Sequence, residues 1–137
     1  MLLVEDNAVN RTLAQRLLEK RGFAVSIATD GKQAIAATQN AEFDLILMDI
    51  QMPEMDGFEA TAEIRKREKL TVRRTPIIAL TAHALKEDRE RCLAGGMDAY
   101  VTKPIRPAEL FQVIQNVLQS YAAGDASTLL TPVPSAR

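Results

Sequence analysis

Leu45–Gly57 reads LILMDIQMPEMDG, four apolar residues that run straight into an aspartate and then into a turn containing proline. An apolar run of this length, closed by turn residues, predicts a buried strand. A buried carboxylate is costly unless it is paired, hydrogen-bonded or bound to a metal, so Asp49 is either lifted out of the core at the strand end or kept there for chemistry. Working outward, the runs Leu2–Glu5, Phe23–Ala28, Pro76–Thr81 and Ala99–Lys103 match Asp44–Asp49 in being too short for helices, and all are expected to be strands. Between them the spacing turns helical. Val9, Leu13 and Leu17 recur every fourth residue, and Leu110, Val113, Ile114, Val117 and Leu118 follow the stripe of an amphipathic helix. Less regular segments near 31–40, 56–68 and 84–94 are bounded by Asp30-Gly31, Asp56-Gly57 and Gly95-Gly96, which punctuate helices. Strand and helix therefore alternate five times, which predicts an α/β fold built on a parallel sheet.

The 137 residues, 47% hydrophobic and 26% charged, suffice for one domain with a real core but not for two comfortable ones. A net charge of −1 gives no general electrostatic case for nucleic acid or an anionic membrane. Arg65, Lys66, Arg67, Lys69, Arg73 and Arg74 form a local basic cluster, which reads as a solvated helix end and loop rather than a phosphate-binding patch. The lone Cys92 cannot form an internal disulfide, which fits a reducing compartment, and it reads as a small core residue on a helix. No apolar run approaches the ~18 residues of a membrane span. Residues 1–121 are expected to form the domain and residues 122–137, small, polar and containing two prolines, a flexible tail or linker. Met1 abuts the first strand directly, as in a segment of a longer chain.

In an open parallel sheet, sites form at the carboxyl ends of the strands, near the point where strand order reverses. The first strand ends in Glu5-Asp6, the third in Asp49, the fourth in Thr81 and the fifth in Lys103. For a (βα)5 doubly wound sheet in the flavodoxin-like order 2-1-3-4-5, the first and third strands are neighbours, and three carboxylates converge beside a hydroxyl and an ammonium. Each residue has a bland explanation: Asp6 or Asn7 as a helix cap, Thr81 as another, Lys103 as a surface lysine, Asp49 as a turn opener. None of these accounts for four polar strand ends on one edge. Grouped carboxylates repel unless a cation offsets them, and a hard divalent ion with few protein ligands favours Mg²⁺ over Ca²⁺. One Cys and one His cannot supply a zinc site. Mg²⁺ beside an aspartate, a threonine and a lysine is equipment for phosphoryl transfer, and without a GxxxxGK[ST] loop or GxGxxG a bound nucleotide is not expected.

The motifs LLVEDN, LILMDIQMPEMDG, PIIALTA and YVTKP, in this order across about residues 2–119, resemble those of the receiver domain of two-component response regulators. The stretch VEDNAVNRTLAQRLLEKRG is most similar to receivers attached to hybrid sensor histidine kinases. The resemblance implies that Asp49 is the phosphoacceptor, taking a phosphoryl group from a phosphohistidine on a histidine kinase or histidine phosphotransfer domain. It implies a Mg²⁺ site made by Glu5, Asp6, Asp49 and the backbone carbonyl of Gln51, and phosphoryl-binding roles for Thr81 and Lys103. Thr81 and Tyr100 match the family's switch residues, Gln51 and His83 occupy positions that tune hydrolysis, and Lys103-Pro104 matches a bond that is commonly cis. The face of the fourth helix, fifth strand and fifth helix is implied as the readout surface and as a surface for self-association. The implied location is the cytoplasm, whether or not a parent chain is anchored in a membrane. Two other classes compete. A Mg²⁺-dependent phosphatase or phosphotransferase acting on small molecules would need a second acid/base near Asp49 and a lid, and a pseudo-receiver would not need Asp6, Asp49, Thr81 and Lys103 together.

Overall fold

The computed structural model describes residues 1–71, 73–82 and 86–122. The expected tail, residues 122–137, lies outside the described residues except for Ala122, and so does His83. Five strands, β1 (Leu2–Val4), β2 (Ser26–Ala28), β3 (Ile46–Asp49), β4 (Ile77–Thr81) and β5 (Ala99–Thr102), alternate with α1 (Ala8–Lys20), α2 (Gly31–Asn40), α3 (Gly57–Glu68), α4 (Lys86–Ala94) and α5 (Pro107–Ala122). All pairings are parallel and the order is β2-β1-β3-β4-β5, as expected. The strands are shorter than their apolar runs. Phe23 is tied instead to the end of α1, its N–H donating to the Leu18 carbonyl at 3.1 Å.

Side chains alternate across the sheet as the period of two requires. Leu3, Leu47, Ile78 and Val101 pack under α1 and α5, whereas Leu2, Val4, Ile46, Met48 and Ala79 pack under α2, α3 and α4. The α5 stripe is placed as expected, with Leu110, Val113, Ile114 and Val117 buried. Cys92 is buried on α4. The first helix stands where its spacing put it, but its stripe faces the other way. Ala14 and Leu18 enter the core, while Val9 and Leu13 are 68% and 58% exposed and Leu17 is half-buried.

The basic cluster is likewise not wholly a solvated surface. At the amino-terminal end of the sheet Arg65 turns inward, donating from Nε to the Gly96 carbonyl at 2.9 Å, from Nη1 to the Thr75 carbonyl at 2.8 Å and from Nη2 to Asp98 at 3.0 Å. Arg74 reaches the other Asp98 oxygen at 2.6 Å and the Tyr121 hydroxyl at 2.6 Å. Two members of a charge run are thus spent joining α3, the β4 entry, the β5 entry and the last turn of α5.

Candidate functional site

The carboxyl ends of the strands bring the expected residues together. Asp49 closes β3 opposite Leu80, and the chain beyond it stays pinned to the sheet, with the Ile50 N–H donating to the Leu80 carbonyl at 3.0 Å. The Gly57 N–H then donates back to the Ile50 carbonyl at 2.9 Å, drawing the start of α3 against the end of β3. A Cβ at Gly57 would overlap the Asp49 carbonyl oxygen, so only glycine permits this approach. Asp56 caps α3 in a capping box with Glu59 and Asn7 caps α1, its side chain accepting from the Asn10 N–H at 3.0 Å. With Asn7 as the cap, the exposed Asp6 carboxylate is not used for that purpose.

Glu5 and Asp49 are both buried, and together with Asp6 they offer oxygens all within 4.8 Å of one another. Lys103 enters from the end of β5, its backbone N–H donating to the Thr81 carbonyl at 2.7 Å. Its Nζ donates to Asp49 Oδ1 at 3.0 Å and stands 3.0 Å from Glu5 Oε1 in an ion pair. The second contact is a matter of charge rather than direction, because Glu5 Oε1 accepts no aligned hydrogen bond. Burial first, and then the adjoining Glu5 carboxylate, push the Asp49 carboxyl up to about 7 against the opposing pull of Lys103. For Lys103, burial disfavours the ammonium, but Asp49 and Glu5 outweigh it and raise its pKa.

Thr81 ends β4, buried and opposite Thr102. Tyr100 is half-buried on β5, packed on the α2–α3–α4 side. The Gln51 N–H donates to Asp49 Oδ1 at 3.3 Å, while its side chain is exposed. Gln51, Asp56, Phe58, Thr81 and Arg91 line an open cleft of about 540 Å³, where the Arg91 guanidinium lies over the Phe58 ring, 4.2 Å from its centre. The Lys103–Pro104 peptide bond is cis, as expected.

The donor set suits a hard cation. It is all carboxylate, it combines two buried acids and one exposed one, and one buried oxygen lacks a directed partner. A further feature escaped the sequence reading. Leu13, Leu17, Pro104 and Ile105 line a largely apolar groove of about 650 Å³ that runs up to Lys103. The available signal was that α1 carries more apolar residues than one buried face accommodates.

Residues 1–115 match the family model of the response regulator receiver domain. The chain belongs to this receiver family. A relative, the hybrid signal transduction histidine kinase I of Dictyostelium discoideum, is 46% identical over 133 residues, covering 93% of this chain and 8% of that protein. The receiver thus spans a small part of the length of such relatives. Among solved structures, the receiver domain of the sensor histidine kinase PA1611 from Pseudomonas aeruginosa PAO1, with a magnesium ion coordinated in its active-site cleft, is 47% identical at a TM-score of 0.78. That match covers 87% of this chain and 96% of the other. The receiver of Saccharomyces cerevisiae Ssk1, solved with the histidine phosphotransfer protein Ypd1, is 31% identical at a TM-score of 0.81, covering 88% of this chain and 89% of the other. Among the described residues no helix is long and apolar enough to cross a membrane.

Proposed function

We propose that Asp49 accepts a phosphoryl group from a phosphohistidine of a histidine kinase or histidine phosphotransfer domain, and that the domain, residues 1–121, switches a partner-binding surface in response. The observation that carries this reading is the Asp49 carboxylate, buried at a strand end, bonded to Lys103 and grouped with Glu5 and Asp6. An Asp49 oxygen attacks phosphorus, the phosphorus–nitrogen bond breaks, and its electron pair stays on the departing imidazole. Lys103 and the Thr81 hydroxyl bind the phosphoryl oxygens. Glu5, Asp6, Asp49 and the Gln51 carbonyl hold Mg²⁺, which supplies positive charge to those oxygens when bound. The Gln51 side chain and His83 tune hydrolysis of the acyl phosphate.

The donor docks on the outward face of α1. The apolar groove reaches Lys103, so a helix seated across Leu13, Leu17 and Ile105 carries its histidine to the acceptor edge. Thr81 and Tyr100 relay the change to the α4–β5–α5 face, which also serves self-association. The domain belongs to a parent of the hybrid histidine kinase type, and this segment works in the cytoplasm.

Incubation with a small acyl phosphate and Mg²⁺ should add one phosphoryl mass to the wild type and none after chelation. Leu13→Glu should keep this labelling while slowing transfer from a phosphohistidine domain at least about tenfold, the equivalent of ~1.4 kcal/mol. Labelling undiminished in excess chelator would exclude the metal role, and equal slowing with both donors would exclude the docking face.

A further inference from the structure

The acidic ligands sit on a short connection between β1 and α1, and that connection is gripped from the helix side. The Asn7 N–H donates to Glu5 Oε2 at 3.2 Å, orienting the Glu5 carboxylate. Arg11, on the first turns of α1, bends its guanidinium back over the same connection. Its Nη1 donates to the Glu5 carbonyl at 3.1 Å and to the Asp6 carbonyl at 3.3 Å. One side chain thus bridges the backbone of the two adjacent residues whose carboxylates converge with Asp49.

We propose that Arg11 is a positioning residue for the divalent-cation site, clamping the Glu5–Asp6 backbone so that both carboxylates face Asp49 before the ion arrives. The inference rests on the reading of this edge as a Mg²⁺ site. Two effects of Arg11 oppose each other. Its positive charge repels a dication, whereas its clamp removes the cost of ordering two backbone residues and two side chains at the moment of binding. The Asp6 side of the connection is open to solvent, where salt and water weaken the repulsion. The ordering cost carries no such discount, so the clamp dominates. Both bonds come from the single Nη1, so a lysine ammonium with its several donors can restore part of the clamp, but on a flexible stem without the rigid guanidinium plane it holds the two carbonyls less firmly.

The test is Mg²⁺ affinity measured by calorimetry on the metal-free protein, with no phosphodonor present. Arg11→Ala should weaken binding about three- to tenfold, and Arg11→Lys should fall between it and the wild type. Amide exchange should accelerate at residues 5–7 in Arg11→Ala and stay unchanged in β3 and β4, which separates loss of the clamp from general destabilisation. If Arg11→Ala binds Mg²⁺ as well as or better than the wild type, charge outweighs the clamp and the inference is overturned. A wild type that does not bind Mg²⁺ at all would overturn the metal reading itself, a result recognisable before any variant is made.

Discussion

Asp49 and Asp98 are buried almost equally, 2% and 3% exposed, at opposite ends of the same sheet, and their surroundings differ in kind. Asp98 Oδ2 accepts from Arg65 at 3.0 Å and from the Ile77 N–H at 2.8 Å; Oδ1 accepts from Arg74 at 2.6 Å and from the Tyr121 hydroxyl at 3.1 Å. Two guanidiniums flank it, and Asp98 in turn helps push the Tyr121 hydroxyl up to about 12, after burial. Among the described residues, Asp49 has one cation, Lys103, a long bond from the Gln51 N–H, and a second carboxylate as its neighbour. Burial alone therefore does not mark a reactive acid. The distinction lies in whether donors saturate the carboxylate or leave it short of positive charge, as the proposed cation and phosphoryl site requires.

Removing each carboxylate should have opposite consequences. Asp98→Ala leaves Arg65 and Arg74 without their shared anion and should cost about 3 kcal/mol in urea denaturation, since breaking a buried pair strands its partners. A loss no larger than that of an exposed ion pair would dissolve the contrast. Asp49→Asn should instead stabilise the metal-free protein at neutral pH by about 2 kcal/mol. The sign follows from the raised pKa. Between about 4, where a free aspartate ionises, and about 7, the folded state binds more protons than the unfolded state. The stability associated with protonated Asp49 is present below that window and fades as pH rises through it. The advantage of the asparagine should therefore vanish toward pH ~4. A variant advantage that grows on acidification would refute the raised pKa.

Smaller changes resolve the comparison further. Tyr121→Phe deletes one donor from the saturated site and should cost about 1 kcal/mol, with labelling of Asp49 unchanged. Near the unsaturated site the backbone holds its own strain, because Glu54 adopts φ 67° in the turn after Pro53, whereas Gly96 supplies φ 96° beside Asp98. Glu54→Gly relieves the left-handed strain but frees the unfolded chain, so stability should move by less than about 0.5 kcal/mol.

The convergence of polar residues at the carboxyl edge was legible in the sequence because its signals are local. An apolar run ending in a polar residue marks both a strand and its carboxyl end, and parallel topology then collects Glu5, Asp6, Asp49, Thr81 and Lys103. What escaped depends on facts that spacing does not carry. Periodicity says that Val9, Leu13 and Leu17 share a face, but Ala14 and Leu18 share another, and the sheet accepts only one. Arg65 and Arg74 read as part of a solvated run because their anion, Asp98, lies 33 and 24 positions away and meets them only after folding. The choice of cap was undecided for a similar reason, since Asp6 and Asn7 are equally suited and the backbone conformation selects Asn7.

The most direct test is to map the phosphoryl group by fragment mass spectrometry after labelling with a small acyl phosphate and Mg²⁺, in the wild type and in Asp49→Asn. The account predicts a single modified residue, Asp49, no label on the equally buried Asp98, and no stable label on the asparagine variant. Labelling of the variant to the wild-type level on another residue would contradict it.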